Sequence, residues 1–274
     1  MPDIPFNDLV TFALYLAAAG LIAGVLAGLF GIGGGTVLVP AFYQVFGAVQ
    51  VPDDVRMHLA LGSSMAIVVA TSLRSFTSHR KRGTPDTQLL RHWLVAIPLG
   101  VLAASLLVAQ ISSFWLRLVF AVISVIVGLK LLIGRESWRL GAEIPGNPAR
   151  AVTGWCIGLI STLMGIGGGV LNNTFMTLYN RPMHQAVGTS AGVGVLISIP
   201  AFFGYLWAGW GKAGLPAFSS GYVNWLTVLL IIPLTFIVTP LGVRLAHAMS
   251  KKALEVSFGL YMLFVAGRFF YSLV

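Results

Sequence analysis

Two glycine-dense breaks, Gly31-Ile32-Gly33-Gly34-Gly35 and Gly165-Ile166-Gly167-Gly168-Gly169, stand 134 residues apart inside apolar runs. Each glycine in a helix interior costs about 1 kcal/mol relative to alanine, so four in five residues end a helix instead of continuing it. A fold for this chain must therefore accommodate the same interruption twice. The surrounding segments leave few options. Five apolar stretches precede the midpoint, at roughly 9–30, 37–49, 57–78, 92–110 and 114–133. Five follow it, at roughly 150–164, 170–180, 184–208, 222–245 and 252–273. About 20 apolar residues are needed to cross hydrocarbon as a helix. The segments at 37–49 and 170–180 are too short to cross alone, and each directly follows a glycine break.

Composition identifies the solvent. Of the 274 residues, 57% are hydrophobic and 9% charged, against roughly 25% charged in soluble domains. The chain is a polytopic membrane protein. Asp3 and Asp8 flank the start, and no basic residue precedes the first apolar run, so that run reads as a retained membrane helix and not a cleaved signal peptide. Cys156 is the lone cysteine, which excludes an intrachain disulfide or a thiolate cluster. The net charge of +9 points to loop topology and not to nucleic acid.

The two halves repeat. Met57-His58-Leu59-Ala60-Leu61-Gly62-Ser63-Ser64 matches Met183-His184-Gln185-Ala186-Val187-Gly188-Thr189-Ser190, Pro98 matches Pro233, and Lys130 matches Arg268. The spacing between the two motifs is eight residues longer in the first half, around Gly47–Val55. Basic residues set the orientation. Arg80, Lys81, Arg82, Arg91, Lys130, Arg135, Arg139, Arg150, Arg181, Arg244, Lys251 and Lys252 make 12 of the 17 basic residues fall in loops of one side. If that side is cytoplasmic, both termini are outside and the alternation holds at every step. The first repeat then starts outside and the second inside. The expected fold is all-α, with two inverted repeats (1–138 and 139–274), each a glycine-broken short helix pair plus three full spans. Whether the broken pairs span or re-enter is open. Inverted repeats with matching interrupted segments point to a transporter's central site.

Each motif has a bland alternative. The breaks leave free N–H groups and partial positive charge at the starts of short helices, so Gly31, Gly33, Gly34 and Gly35 with Gly165, Gly167, Gly168 and Gly169 form two walls for an anion. The alternative is close helix packing alone. Pro40 suits the first turn after the first break, whereas Asn172 and Asn173 bring side-chain donors to the second, with Thr174 in the place of Pro40. A nucleotide loop is excluded, because no Lys-Ser/Thr ending follows. Ser63, Ser64, Thr189 and Ser190 lie about two turns into matching helices, where they bond either an oxyanion or a local carbonyl. His58 and His184 are candidates for a proton role or polar boundary residues. Arg74 lies inside a predicted span, drawing an anion inward or snorkelling to the interface. No acidic residue falls firmly in the core, and neither a hydrolase constellation nor a metal or cofactor site is visible.

The doubled break, with Ala186-Val187-Gly188-Thr189-Ser190 behind its second copy, resembles the TauE/SafE family of membrane permeases across the whole chain. That resemblance implies export of sulfite or a small organosulfonate such as sulfoacetate. The expected protein is thus a non-enzymatic plasma-membrane transporter with a small anion and the lipid bilayer as its partners. A proton-coupled permease or channel for another small anion or metabolite is the competing reading, and oligomeric state is not legible.

Overall fold

The computed structural model describes residues 6–30, 34–134 and 139–273. Ten helices follow one another: α1 (Phe6–Phe30), α2 (Gly35–Ala48), α3 (Asp53–Lys81), α4 (Thr87–Val108), α5 (Ser113–Ile133), α6 (Ala149–Leu163), α7 (Gly169–Leu178), α8 (Met183–Ala208), α9 (Trp225–Ala248) and α10 (Lys251–Tyr271). A small hairpin of β1 (Ser219–Ser220) and β2 (Val223–Asn224) joins α8 to α9. The segment expected to start at 222 thus starts as a strand, and its helix begins at Trp225. Asn224 ends the strand by capping that helix, its Oδ1 accepting from Thr227 N at 2.9 Å.

Six helices, α3, α4, α5, α8, α9 and α10, are long and apolar enough to cross a membrane. The helices after the breaks are short, 14 residues for α2 and 10 for α7. Exposed Trp115, Trp207, Trp210 and Trp225 gather where the β-hairpin lies, as in an interfacial aromatic belt. This end is called the hairpin end; the opposite one, carrying the link between α5 and α6, is the link end.

Contacts fix the direction of every helix. At the hairpin end, His58 of α3 meets Ile111 of the α4–α5 turn and Tyr222 of the hairpin, and Arg117 of α5 meets Tyr43 of α2 and Ser272 after α10. At the link end, Thr189 of α8 meets Asp86 before α4, Trp93 of α4 meets Arg150 of α6, and Leu140 bonds Leu178 at the end of α7. Helix α1 runs parallel to α9, with Gly20 against Ile231 and Gly24 against Val238. Helix α6 runs parallel to α4, with Gly154 against Trp93 and Gly158 against Ile97. Because α9 starts at the hairpin end and α4 at the link end, α1–α2 enters and leaves by the hairpin end, and α6–α7 by the link end. Both broken pairs double back as hairpins. Helix α3 packs on α8, and α5 on α10, in antiparallel pairs. Exchanging α1 to α5 with α6 to α10 in order maps the main pairings onto themselves.

Candidate functional site

The two breaks touch at mid-height of α3 and α8. A Cβ on Gly35 would lie 2.6 Å from the Gly165 carbonyl oxygen and 2.8 Å from Ile166 Cα, so only glycine permits this approach. Gly168 holds φ of 71°, left-handed, at the cap of α7, and Gly34 holds 77° at the cap of α2. A side chain on Gly168 would also strike Ile197 at 2.6 Å. Gly167 faces Val68 and Gly194, and Gly165, with φ of 65°, lies against Leu61 and Val39. Ser161 to Val170 are all buried. Gly31 and Gly33 lie outside the described residues.

The chemistry at this contact is that of neutral donors. Neither α2 nor α7 has a side-chain cap, so first-turn N–H groups and the positive end of each dipole point at the break. Asn172 is fully buried; its Nδ2 donates to Ser190 Oγ at 2.7 Å, and its Oδ1 has no partner. Ser190 in turn donates to Asn173 Oδ1 at 2.7 Å, and Ser64 donates to the Gly165 carbonyl at 2.9 Å. Ser161 Oγ, beside Gly168, is buried without a partner. Sequence reasoning missed Ser161; its place in α6, one turn before the break, was the available signal. No charged side chain belongs to this set. The array is uncharged, its hydroxyls and amides bonded to one another or to the Gly165 carbonyl, and the polar atoms left over are Ser161 Oγ and Asn172 Oδ1.

The other predicted residues are placed elsewhere. Ser63 and Thr189 do not face the break. Ser63 Oγ accepts the N–H of Asn224 at 3.0 Å, and Thr189 Oγ1 accepts that of Asp86 at 2.9 Å. Asp86 caps α4, accepting from Leu89 N at 2.9 Å, as Asn224 caps α9. The preceding glycines make room: a Cβ on Gly62 would overlap the Tyr222 carbonyl, and one on Gly188 would meet Thr84 and Pro85. Each half therefore seats the cap of the other half's fourth helix through one Gly-Ser/Thr step. His58 is buried, bonded through Nε2–H to the Ile111 carbonyl at 3.0 Å and stacked on Tyr222. His184 is exposed. Arg74 is exposed on α3, and its guanidinium sits 4.5 Å over the Phe236 ring. It does not reach the break.

A groove of about 530 Å³ opens between α1, α2 and α10, lined by apolar side chains with Gln44 and Arg268 at one end. It flanks α2 and holds none of the polar groups at the break. Sequence reasoning also missed the cluster of Tyr43, Asp53, Arg56 and Arg117 at the hairpin end, where Arg117 is buried.

The chain has known relatives. The sequence profile of the family described as "Sulfite exporter TauE/SafE" matches residues 16–269. A probable membrane transporter protein of Haemophilus influenzae is 32% identical over 260 residues, covering 95% of this chain and 98% of the relative. Another from Methanocaldococcus jannaschii is 27% identical, covering 88% and 89%. The probable membrane transporter protein YunE of Bacillus subtilis is 25% identical, covering 94% and 97%. No solved structure matches the chain. With the six candidate spans and the family match over nearly its whole length, this chain belongs to the sulfite exporter TauE/SafE family and is a multi-pass membrane transporter.

Proposed function

We propose that this transporter exports a small sulfur-containing anion, sulfite or an organosulfonate such as sulfoacetate, across the plasma membrane, with both termini outside. The anion binds at mid-membrane, between the breaks of two inverted repeats, and access alternates between the two ends. The observation that carries the reading is the contact of two uncapped half-helix starts, entering from opposite ends, at Gly34–Gly35 and Gly165–Gly169. Broken helices whose N-termini meet at the midplane of inverted repeats are suited to an anionic substrate. Asn172, Asn173, Ser64 and Ser190 are the polar side chains there, most of them at the second break, and an entering anion would take over donors that now bond Gly165, Ser190 and Asn173. The family description adds the sulfur oxyanion.

Direction follows from electrostatics. An anion leaving a cell with a negative interior gains about 2.3 kcal/mol per charge per 100 mV, so export needs no coupling ion. Purified protein in liposomes, given an imposed potential, should carry sulfite or a sulfonate toward the positive side. Absence of flux for every small sulfur oxyanion, or uptake that tracks a pH gradient and ignores the potential, would remove this reading.

A further inference from the structure

Beyond the midplane contact, the described residues hold a cluster in which two guanidiniums and a hydroxyl enclose the chain's own carboxylate. At the hairpin end Asp53 bridges two guanidiniums: Oδ2 is 2.8 Å from Arg117 Nη2, and Oδ1 is 3.3 Å from Arg56 Nη1. The Tyr43 hydroxyl donates to Oδ1 at 3.1 Å.

Both guanidiniums are anchored independently of that carboxylate. Arg56 Nε and Nη2 donate to the Val51 carbonyl at 3.0 and 2.8 Å. Arg117 Nη1 donates to the Ser272 carbonyl at 2.6 Å and to Tyr43 Oη at 3.0 Å. Both cations also lie over the Tyr43 ring, 5.5 and 5.9 Å from its centre. Arg117 is 7% exposed and its Nε–H is buried without an acceptor. Two fixed cations and one hydroxyl thus face a single anion, and a donor is left over.

Asp53 is the movable member. Its side chain is 47% exposed, against 8% for Arg117. It sits in the first turn of α3, where the helix dipole still favours a carboxylate after it swings outward. The neighbouring Asp54 is exposed and forms no ion pair among the described residues. The site is also well placed. It lies at the far end of α2, about 20 Å from the first break for a 14-residue helix.

We infer that Arg56, Arg117 and Tyr43 form an outer station for a small oxyanion such as a sulfonate, and that Asp53 competes for it. An anion leaving the midplane along α2 displaces the carboxylate, binds the two guanidiniums, and is expelled when Asp53 returns. This rests on the export reading for its role in transport; the binding site itself does not.

The full-length protein in detergent tests it, with methanesulfonate as the probe. Carbodiimide-and-amine labelling of the unmodified protein, mapped by peptide mass spectrometry, should show Asp53 several-fold more reactive in saturating methanesulfonate. Asp53→Asn should bind methanesulfonate at least about tenfold tighter than the unmodified protein, about 1.4 kcal/mol. Adding Arg56→Gln should remove that gain. Unchanged Asp53 reactivity overturns the station, even if Asp53→Asn does not fold. A gain that survives Arg56→Gln overturns it as well. Gly168→Leu separates the two readings: flux unaffected by that change counts against the midplane site alone, while the Asp53 response stands or falls by itself.

Discussion

The two breaks each place a positive-φ glycine before a short helix and differ in their side chains. Gly34 and Gly168 both hold positive φ, and both start short, uncapped helices. After the first break come Leu38, Val39 and Pro40, all apolar; after the second come Asn172, Asn173 and Thr174 at the matching positions. The second break therefore owns the polar network, Asn172 to Ser190 to Asn173, while the described part of the first adds to its backbone only the buried Thr36. A helix start can be duplicated without duplicating its side-chain chemistry, and on the proposed reading the unequal walls orient the anion.

The comparison is broken most severely at the glycines. Gly35→Ala should abolish anion flux in liposomes, because its Cβ meets backbone that cannot yield. Gly168→Leu should do the same and lower unfolding stability by about 3 kcal/mol, combining positive-φ strain with overpacking. Gly167→Ala, whose tight neighbour is the Val68 side chain, should retain partial flux; full loss there would mean that the whole segment is equally intolerant.

Asymmetry between the walls is sharpened by Asn172→Leu, which leaves Ser190 without its donor. An increase in KM for the transported anion of about tenfold, near 1.4 kcal/mol, is expected. Leu38→Ala at the matching position should leave KM nearly unchanged, and an equal effect of the two would erase the distinction.

The motif histidines give a smaller contrast. His58→Ala should destabilise by about 2 kcal/mol in thermal unfolding, through loss of a buried bond and a ring stack. His184→Ala, on an exposed site, should stay within about 0.5 kcal/mol. Smallest are the two cap seats: Ser63→Ala and Thr189→Val should each lower stability by about 1 kcal/mol, and additively, since they lie at opposite ends. Strongly unequal losses would show that the seats differ in kind.

Much of the architecture was legible beforehand. Every predicted apolar segment contains a helix, because glycine breaks, prolines and polar turns punctuate the chain near the boundaries, although α3 starts at Asp53 and not 57, and α4 at Thr87 and not 92. The short segments after the breaks were read correctly as too short to cross. The β-hairpin was not read, because two strands of two residues carry no alternation to detect. The adjacent hydroxyls Ser63 and Ser64 were grouped, yet neighbours on a helix do not share a face. One reaches a cap and the other the break. Arg117 drew no separate reading, since positive-charge counting locates helix ends and says nothing about a partner such as Asp53, far away in sequence. Ser161 and the cap residues Asp86 and Asn224 became visible only through tertiary neighbours.

The parallel pairings described above carry one more implication. Helix α1 lies along α9, and α6 along α4, so the first arm of each broken hairpin is gripped by the opposite half of the chain. The first arm of each hairpin finds its mate only in the other half, Gly20 and Gly24 against Ile231 and Val238, and Gly154 and Gly158 against Trp93 and Ile97, while the second arm packs on its own half, α2 on α3 and α7 on α8. The two halves are reciprocal insertions. A chain severed in the link between α5 and α6 should recover its shape from two co-expressed fragments, whereas either fragment expressed by itself is left with an orphaned arm.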